Sequence, residues 1–281
     1  MSDTQSDLPR LPDLPALWDD ASAENPLEPR AKTPAGPQGT PLDPWTVLRR
    51  HTPARIALGR AGSALPTEEV LRFGLAHARA RDAVHAALDA DALATELRAL
   101  GIDVRVARSA APDRATYLLR PDLGRRLEVG QLLEKAEAPI ALAIEDGLSA
   151  VAVQRHAASL VRALIDLAPQ RWTRVPAVIA LQGRVALGDE IGERLGARLV
   201  VVLIGERPGL SAPDSLGAYL TYAPRIGRTD AERNCLSNIR PAGLGYVAAA
   251  RRLDWLAAAA LARGMTGVAL KDDSTTTATG D

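Results

Sequence analysis

The chain has 281 residues, enough for one large domain or two smaller ones. Lys+Arg and Asp+Glu each total 34, and a formal net charge of zero argues against a nucleic-acid partner, since phosphate binding usually leaves a basic excess. The single cysteine, Cys235, excludes an intrachain disulfide and fits a reducing, cytoplasmic compartment, and no apolar run approaches the roughly 18 residues that a membrane span needs.

Residues 1–44 hold nine of the twenty prolines. Such a composition cannot bury enough apolar surface to offset its ordering entropy, so 1–43 reads as a disordered tail. It has no apolar h-region, and no secretory signal is expected. Within it, Leu11–Trp18 (LPDLPALW) reads either as a short recognition segment or as part of an unstructured leader. The folded part begins at Asp43-Pro44-Trp45, followed by the two-glycine loop Ile56–Gly62. Thr67 is the expected N-cap of a helix from Glu68 to Leu88, with acids in its first turn. His77 and His85 share roughly one side of that helix, two turns apart. A metal pair prefers i and i+4, so they read as ordinary helix residues. Asp91 is the expected cap of a second helix that runs through Leu100 to Gly101.

Ile102, Val104 and Val106 alternate with Asp103, Arg105 and Ala107 and predict a half-buried strand; Tyr117-Leu118-Leu119 predicts another. Arg120–Arg126 is a charged turn. Pro139–Ile144 (PIALAI) is an apolar strand, Leu148–Leu167 an amphipathic helix, and Val175–Leu181 the next strand. Ala186–Leu195 sets Leu187, Ile191 and Leu195 on one face, with Asp189, Glu190 and Glu193 toward its other sides and N-terminal half, where negative charge suits the helix dipole. The run Leu199–Ile204 has no polar side chain, the pattern of a parallel strand buried on both faces. Strand, helix, strand, helix, strand over 139–204 specifies an α/β fold with a doubly wound parallel (Rossmann-like) sheet. It is preceded by a smaller, mainly helical N-terminal region. A further strand is expected at Ala218–Tyr222, then the polar segment Arg225–Asn238, a helix from Gly245 to Arg263 and a short strand Val268–Leu270. The expected domains are a tail over 1–43, a helical region over 44–105, an α/β domain over 106–271 and a frayed tail over 272–281.

In open parallel sheets, ligands sit beyond the carboxyl ends of the strands. The polar residues expected there are Asp146, Gln182, Arg184, Glu206, Arg207 and Asp214. The glycines do not form the G-x-G-x-x-G dinucleotide turn, and neither a P-loop nor a G-x-S-x-G elbow is present. No histidine lies near Cys235 in sequence, and one cysteine with four scattered histidines does not suggest zinc. The set suits binding a large polar ligand more than splitting a bond. An alternative stays open, in which Glu206 and Arg207 cap neighbouring helices and pair with each other.

Three long blocks narrow the choice: EDGLSAVAVQRHA (Glu145–Ala157), Gln182–Pro224, and GRTDAERNCLSNIRPAGL (Gly227–Leu244). They resemble the small subunit of ethanolamine ammonia-lyase, and the likeness runs from about Trp45 to Asp272. The resemblance implies an adenosylcobalamin-dependent lyase that converts ethanolamine to acetaldehyde and ammonia by a radical route. It implies a large-subunit partner, a (β/α)8 barrel that does the substrate chemistry, with the cofactor between the two chains and a hexamer of heterodimers as the assembly. Carried over residue by residue, the cofactor contacts are Val185, Glu206 and Cys235. Val185 would pack on the corrin, Glu206 would accept from its amides, and Cys235 would be a small wall residue rather than a nucleophile. No Asp-x-His occurs in the chain. The D-x-H-x-x-G signature of base-off cobalamin proteins is thus missing, and base-on binding with no cobalt ligand from this subunit is expected. Family members are often packed in a bacterial microcompartment, which the resemblance raises as a location within the cytoplasm.

Overall fold

The computed structural model describes residues 44–136 and 138–274. The Pro-rich tail read over 1–43, and most of the tail read over 272–281, lie outside the described residues. The chain divides into two compact units, Met1–Phe73 and Gly74–Asp281, which part within one helix. The described part of the first unit holds α1 (Pro44–Leu48), a loop with a short Ala61–Ala64 bridge, and the start of α2 (Thr67–His85). Thr67 is the first helical residue rather than a cap, and Glu68 and Glu69 occupy the first turn, where both pair with Arg72.

The second unit is mixed α/β, with a six-stranded, mostly parallel sheet. Its strands are β1 (Val104–Arg108), β2 (Ile140–Glu145), β3 (Ala177–Leu181), β4 (Leu199–Gly205), β5 (Leu216–Tyr222) and β6 (Arg233–Ile239). They lie in the order β1-β3-β2-β4-β5-β6. The first four run parallel, while β5 is antiparallel to both β4 and β6. Every residue of β2 and β4 is buried. Alternate side chains face opposite ways, which is why β4 is apolar throughout and β2 is apolar up to Glu145. Leu199, Val201 and Leu203 join one core cluster, and Val200, Val202 and Ile204 join another.

Helices cover the two faces. The first cluster is completed by α3 (Ala90–Ala99), α5 (Ala150–Leu167) and α8 (Tyr246–Arg263), and the second by Leu187, Ile191 and Leu195 of α7 (Leu187–Leu195). Each buried Leu, Ile or Val contributes about 1.5–3 kcal/mol. The two-sided packing is therefore the main source of stability. No helix among the described residues is long and apolar enough to cross a membrane.

Several expectations are corrected. Tyr117-Leu118-Leu119 is not a strand but the end of α4 (Arg114–Leu119), started by Asp113, whose side chain accepts from Thr116 N at 2.7 Å. The cap of α3 is Asp89, which accepts from Ala92 N at 2.9 Å, and Asp91 lies in the first turn. Val106 is exposed on edge strand β1, whereas Ala107 is buried, so the expected alternation fails there. Val268–Leu270 is not a strand, because Gly267–Ala269 closes a 3-10 turn. β1 and α3 both belong to the larger unit, so the sheet begins just before residue 106.

The polar segment Arg225–Asn238 hides a whole strand, β6. Its first residue, Arg233, is buried and points inward to partners, while Cys235, Ser237 and Asn238 are exposed. Arg233 makes a bidentate ion pair with Asp189, Nη1–Oδ1 at 2.5 Å and Nη2–Oδ2 at 2.7 Å, and also donates to Thr221 Oγ1. Asp189 and Glu190, in the first turn of α7 and off its Leu187–Ile191–Leu195 face, are both buried. Glu190 accepts from Leu127 N and from Arg194.

Removing one member of a buried ion pair leaves the other charge uncompensated. Asp189→Ala should therefore destabilise the chain by about 3–5 kcal/mol, read as a lower urea midpoint. Replacing Asp189 and Arg233 together with Leu and Met should recover most of that loss.

Candidate functional site

The carboxyl ends of β2, β3 and β4 open into three turns that meet. The β2 turn and the end of β4 press together: a Cβ on Gly205 would lie 2.0 Å from Ser149 O, and one on Gly147 would lie 2.3 Å from Gly205 O. Only glycine allows this approach. Leu148 N then donates to Gly205 O at 2.9 Å, and Ser149 caps α5 while donating its hydroxyl to Pro213 O. The result is a cleft of about 410 Å³ bordered by Leu148, by Arg184 and Val185 of the β3 turn, and by Glu206 and Arg207 after β4. Tyr117 and Tyr219 form its sides.

Tyr117 anchors one side. Its ring is sandwiched between the guanidiniums of Arg114, at 4.8 Å, and Arg184, at 4.3 Å, an arrangement favoured by the ring's negative face. Its hydroxyl donates to Gly183 O at 2.9 Å, and burial pushes the phenol well above its ordinary pKa, keeping it a donor. On the other side, the β5–β6 pairing shifts register between Leu216 and Ala218, which pair with Ile239 and Leu236. The bulge puts Asn238 in the left-handed region at φ 57° and frees its N–H. Glu206 Oε2 accepts that N–H at 3.1 Å. The carboxylate is thereby fixed at the cleft, and among the described residues no donor meets Oε1. No ion pair joins Glu206 to Arg207 among the described residues.

Val185 and Glu206 thus border one cleft. Cys235 does not line it. It is exposed on β6, directly opposite Tyr219, and its Sγ lies 3.6 Å from Ser237 Oγ. It reaches the cleft only through Tyr219, whose phenol is raised first by burial and then by its contact with Cys235. Of the other polar residues expected near the strand ends, Arg184 and Arg207 line the cleft, while Asp146 and Gln182 lie behind it. Asp214 stands on the loop after β4, where His156 first, and then Arg155 at 2.9 Å, hold its carboxyl at about 2 against the effect of burial. His156 in turn shares a 2.8 Å hydrogen bond with Tyr246. His77 and His85 border a second, shallow recess with Arg81 and Leu210. No group of three potential metal ligands occurs among the described residues.

Two residues behind the cleft were missed in the sequence. Arg114 fell between the two expected strands, in a stretch given no assignment. Glu145 ends the apolar run of β2 and is fully buried. Its carbon chain lies 2.9 Å from where a Cβ on Gly183 would sit, so the β3 turn rests on it. Among the described residues, no hydrogen bond of normal geometry reaches either carboxyl oxygen. Burial, then Asp146 and Asp189, push its pKa well above the usual carboxylate range, with Arg233 opposing. A charged residue closing an otherwise apolar strand was the available signal. Its meaning depended on what covered it.

Comparison with known proteins places this geometry in a lineage. Residues 42–271 match the family described as ethanolamine ammonia-lyase light chain (EutC). The chain is 56% identical over 239 residues to the ethanolamine ammonia-lyase small subunit of Ralstonia nicotianae, covering 82% of this chain and 88% of that one. It is 55% identical over 241 residues to the small subunit of the same name from Azotobacter vinelandii, covering 83% and 89%. The one from Bradyrhizobium diazoefficiens is 55% identical over 248 residues, covering 86% and 94%.

Because burial raises the Glu145 pKa in the fold, its effect on stability has a definite sign. Below the ordinary glutamate pKa, about 4.3, folded and unfolded chains both carry the proton. Above it only the unfolded chain ionises, so the unfolded state binds fewer protons and stability falls as pH rises toward the raised folded value. Glu145→Gln removes that loss. In urea titrations the stability of the variant relative to the parent should climb between about pH 4 and pH 7; a difference independent of pH would mean that Glu145 is ionised in the fold.

Proposed function

Since the chain belongs to the ethanolamine ammonia-lyase small-subunit (light-chain) family, we propose that it holds adenosylcobalamin in the cleft beyond β2, β3 and β4, against a large subunit that closes over the cofactor. The complex converts ethanolamine to acetaldehyde and ammonia. The observation that carries this reading is the meeting of Val185 and Glu206 at one cleft, within a chain kin to small subunits over most of its length. The parallel part of the sheet is read as doubly wound, which puts the cleft where the order turns from β3 back across β2 to β4.

The residues fit such a ligand. The cleft is open and its walls mix apolar and polar groups: Val185 and Leu148 offer apolar contact to a macrocycle, and Glu206 Oε1 offers an acceptor to amide side chains. Bound there, the cofactor supplies an adenosyl radical by homolysis of its cobalt–carbon bond. This chain binds, orients and shields. Glu206 is pre-set by the Asn238 N–H, and the Tyr117 sandwich keeps Arg184 at the rim without the entropy cost of ordering it on binding. Cys235 supports the cleft from behind Tyr219. The partner is a (β/α)8 barrel, the assembly a hexamer of heterodimers, and the location the cytoplasm, within a microcompartment where one is made.

Purified alone, the chain should bind adenosylcobalamin weakly; with the large subunit it should bind tightly and deaminate ethanolamine. Glu206→Ala should weaken cobalamin binding by the about 1.5–3 kcal/mol of a hydrogen bond to a charged group, on the order of 10- to 100-fold in Kd. Unchanged affinity in that variant would leave the chain an assembly scaffold. Base-on binding predicts an EPR spectrum of the cobalt(II) state split by the cofactor's own base nitrogen. Labelling this chain's histidines with 15N should leave that splitting unaltered.

A further inference from the structure

The turn from β3 into α7 is held at nearly every backbone polar group. The N–H groups of Gln182 and Gly183 donate to the two oxygens of Asp146, each at 3.0 Å. Gly183 O accepts from Tyr117 Oη, and Arg184 N donates to Gly124 O at 2.8 Å. Gln182 is not glycine, yet it sits in the left-handed region at φ 57°. A strained residue persists only where its surroundings over-determine it. Here the Asp146 carboxylate does so, by facing two consecutive N–H groups.

Asp146 is 2% exposed and does not border the cleft. Its nearest cation is Arg114, whose Nη1 lies 3.7 Å away. Arg114 also donates to Gly147 O at 2.7 Å, to Val84 O at 2.6 Å and to Gln182 Oε1 at 3.4 Å. One buried pair thus ties the β2 turn, which presents Leu148, to the β3 turn, which presents Arg184 and Val185. A backbone shift at 182–183 would be passed directly to both of those side chains, because only one or two residues separate them.

We propose that Asp146, seated by Arg114, is a positioning residue for the cofactor: it acts through the backbone of Gln182 and Gly183 to set Arg184 and Val185 at the cleft, without touching the ligand. This rests on the reading that the cleft receives a corrinoid. A merely structural acid would affect every property of the complex together. A positioning acid affects corrinoid binding selectively, because the substrate is held by the other subunit.

The test uses the complex with the large subunit and cyanocobalamin as the probe, by equilibrium dialysis without turnover. Asp146→Asn keeps the shape but turns one acceptor into a donor that faces an N–H. It should raise the Kd for cyanocobalamin at least tenfold and the KM for adenosylcobalamin in parallel, with the KM for ethanolamine moving less than twofold. Tyr117→Phe, which frees only Gly183 O, should shift the same constants about threefold. If Asp146→Asn does not assemble, Arg114→Lys, which keeps the charge but not the fork, is read in the same way. Normal cyanocobalamin affinity in the assembled variants, or equal shifts for cofactor and ethanolamine, overturns the positioning role. If Glu206→Ala weakens binding while Asp146→Asn does not, the cleft remains the corrinoid site and only the positioning role is lost; if neither weakens it, the cleft reading itself has failed.

Discussion

The structure depends on one constraint, the burial of β2 and β4 on both faces. A strand covered on each side can satisfy its backbone only through neighbouring strands and can place polar side chains only at its ends. β2 is therefore apolar until Glu145-Asp146, β3 until Gln182, and β4 until Glu206-Arg207. Parallel pairing in register brings those ends to one edge of the sheet: Glu145 lies opposite Ala180 on one side and Ile204 on the other. The cleft follows from packing, since it is the first place where the chain can afford polarity.

Behind the cleft, charge is handled in two ways. Asp189 and Arg233 are deeply buried but paired with good bidentate geometry, which joins α7 to the far edge strand. Among the described residues Glu145 has no such ion-pair partner, and burial pushes its pKa well above the usual carboxylate range. The two devices sit on either side of the start of α7, so the helix that follows the β3 turn is fixed at its root by electrostatics as well as by Leu187 and Ile191 in the core. A turn built on such a base can present side chains with little freedom to move, which suits a wall that must meet a rigid ligand.

The cleft is open, with apolar and polar groups on different walls. On the proposed reading this is half of a site, and its openness is where the second chain enters. Cys235 stands beside that opening, next to Tyr219. Its side chain is exposed on β6, one strand from the cleft, and its influence passes through Tyr219.

Much of this was legible in the residues themselves. The helices α5, α7 and α8, the strands β2 to β5 and the edge where polar residues gather all follow from local periodicity, because core burial writes itself into apolar spacing. What periodicity could not reveal were the elements whose partners lie far away in the chain. β6 looked like a polar loop because its buried arginine is neutralised by Asp189, 44 residues earlier. Tyr117 looked like part of a strand because its helix is only one and a half turns long and starts from a cap, Asp113, rather than from a pattern. Glu145 and Asp146 looked like ordinary strand-end acids, and only the fold distinguished them: one lies fully buried under Gly183, the other faces two N–H groups and Arg114. The sequence alone thus settled which segments are buried and where the open edge of the sheet falls. The tertiary structure alone decided which acid is paired with a cation, which is buried without one and which side chains meet, because desolvation and ion pairing depend on distances between residues that the order of the chain does not contain.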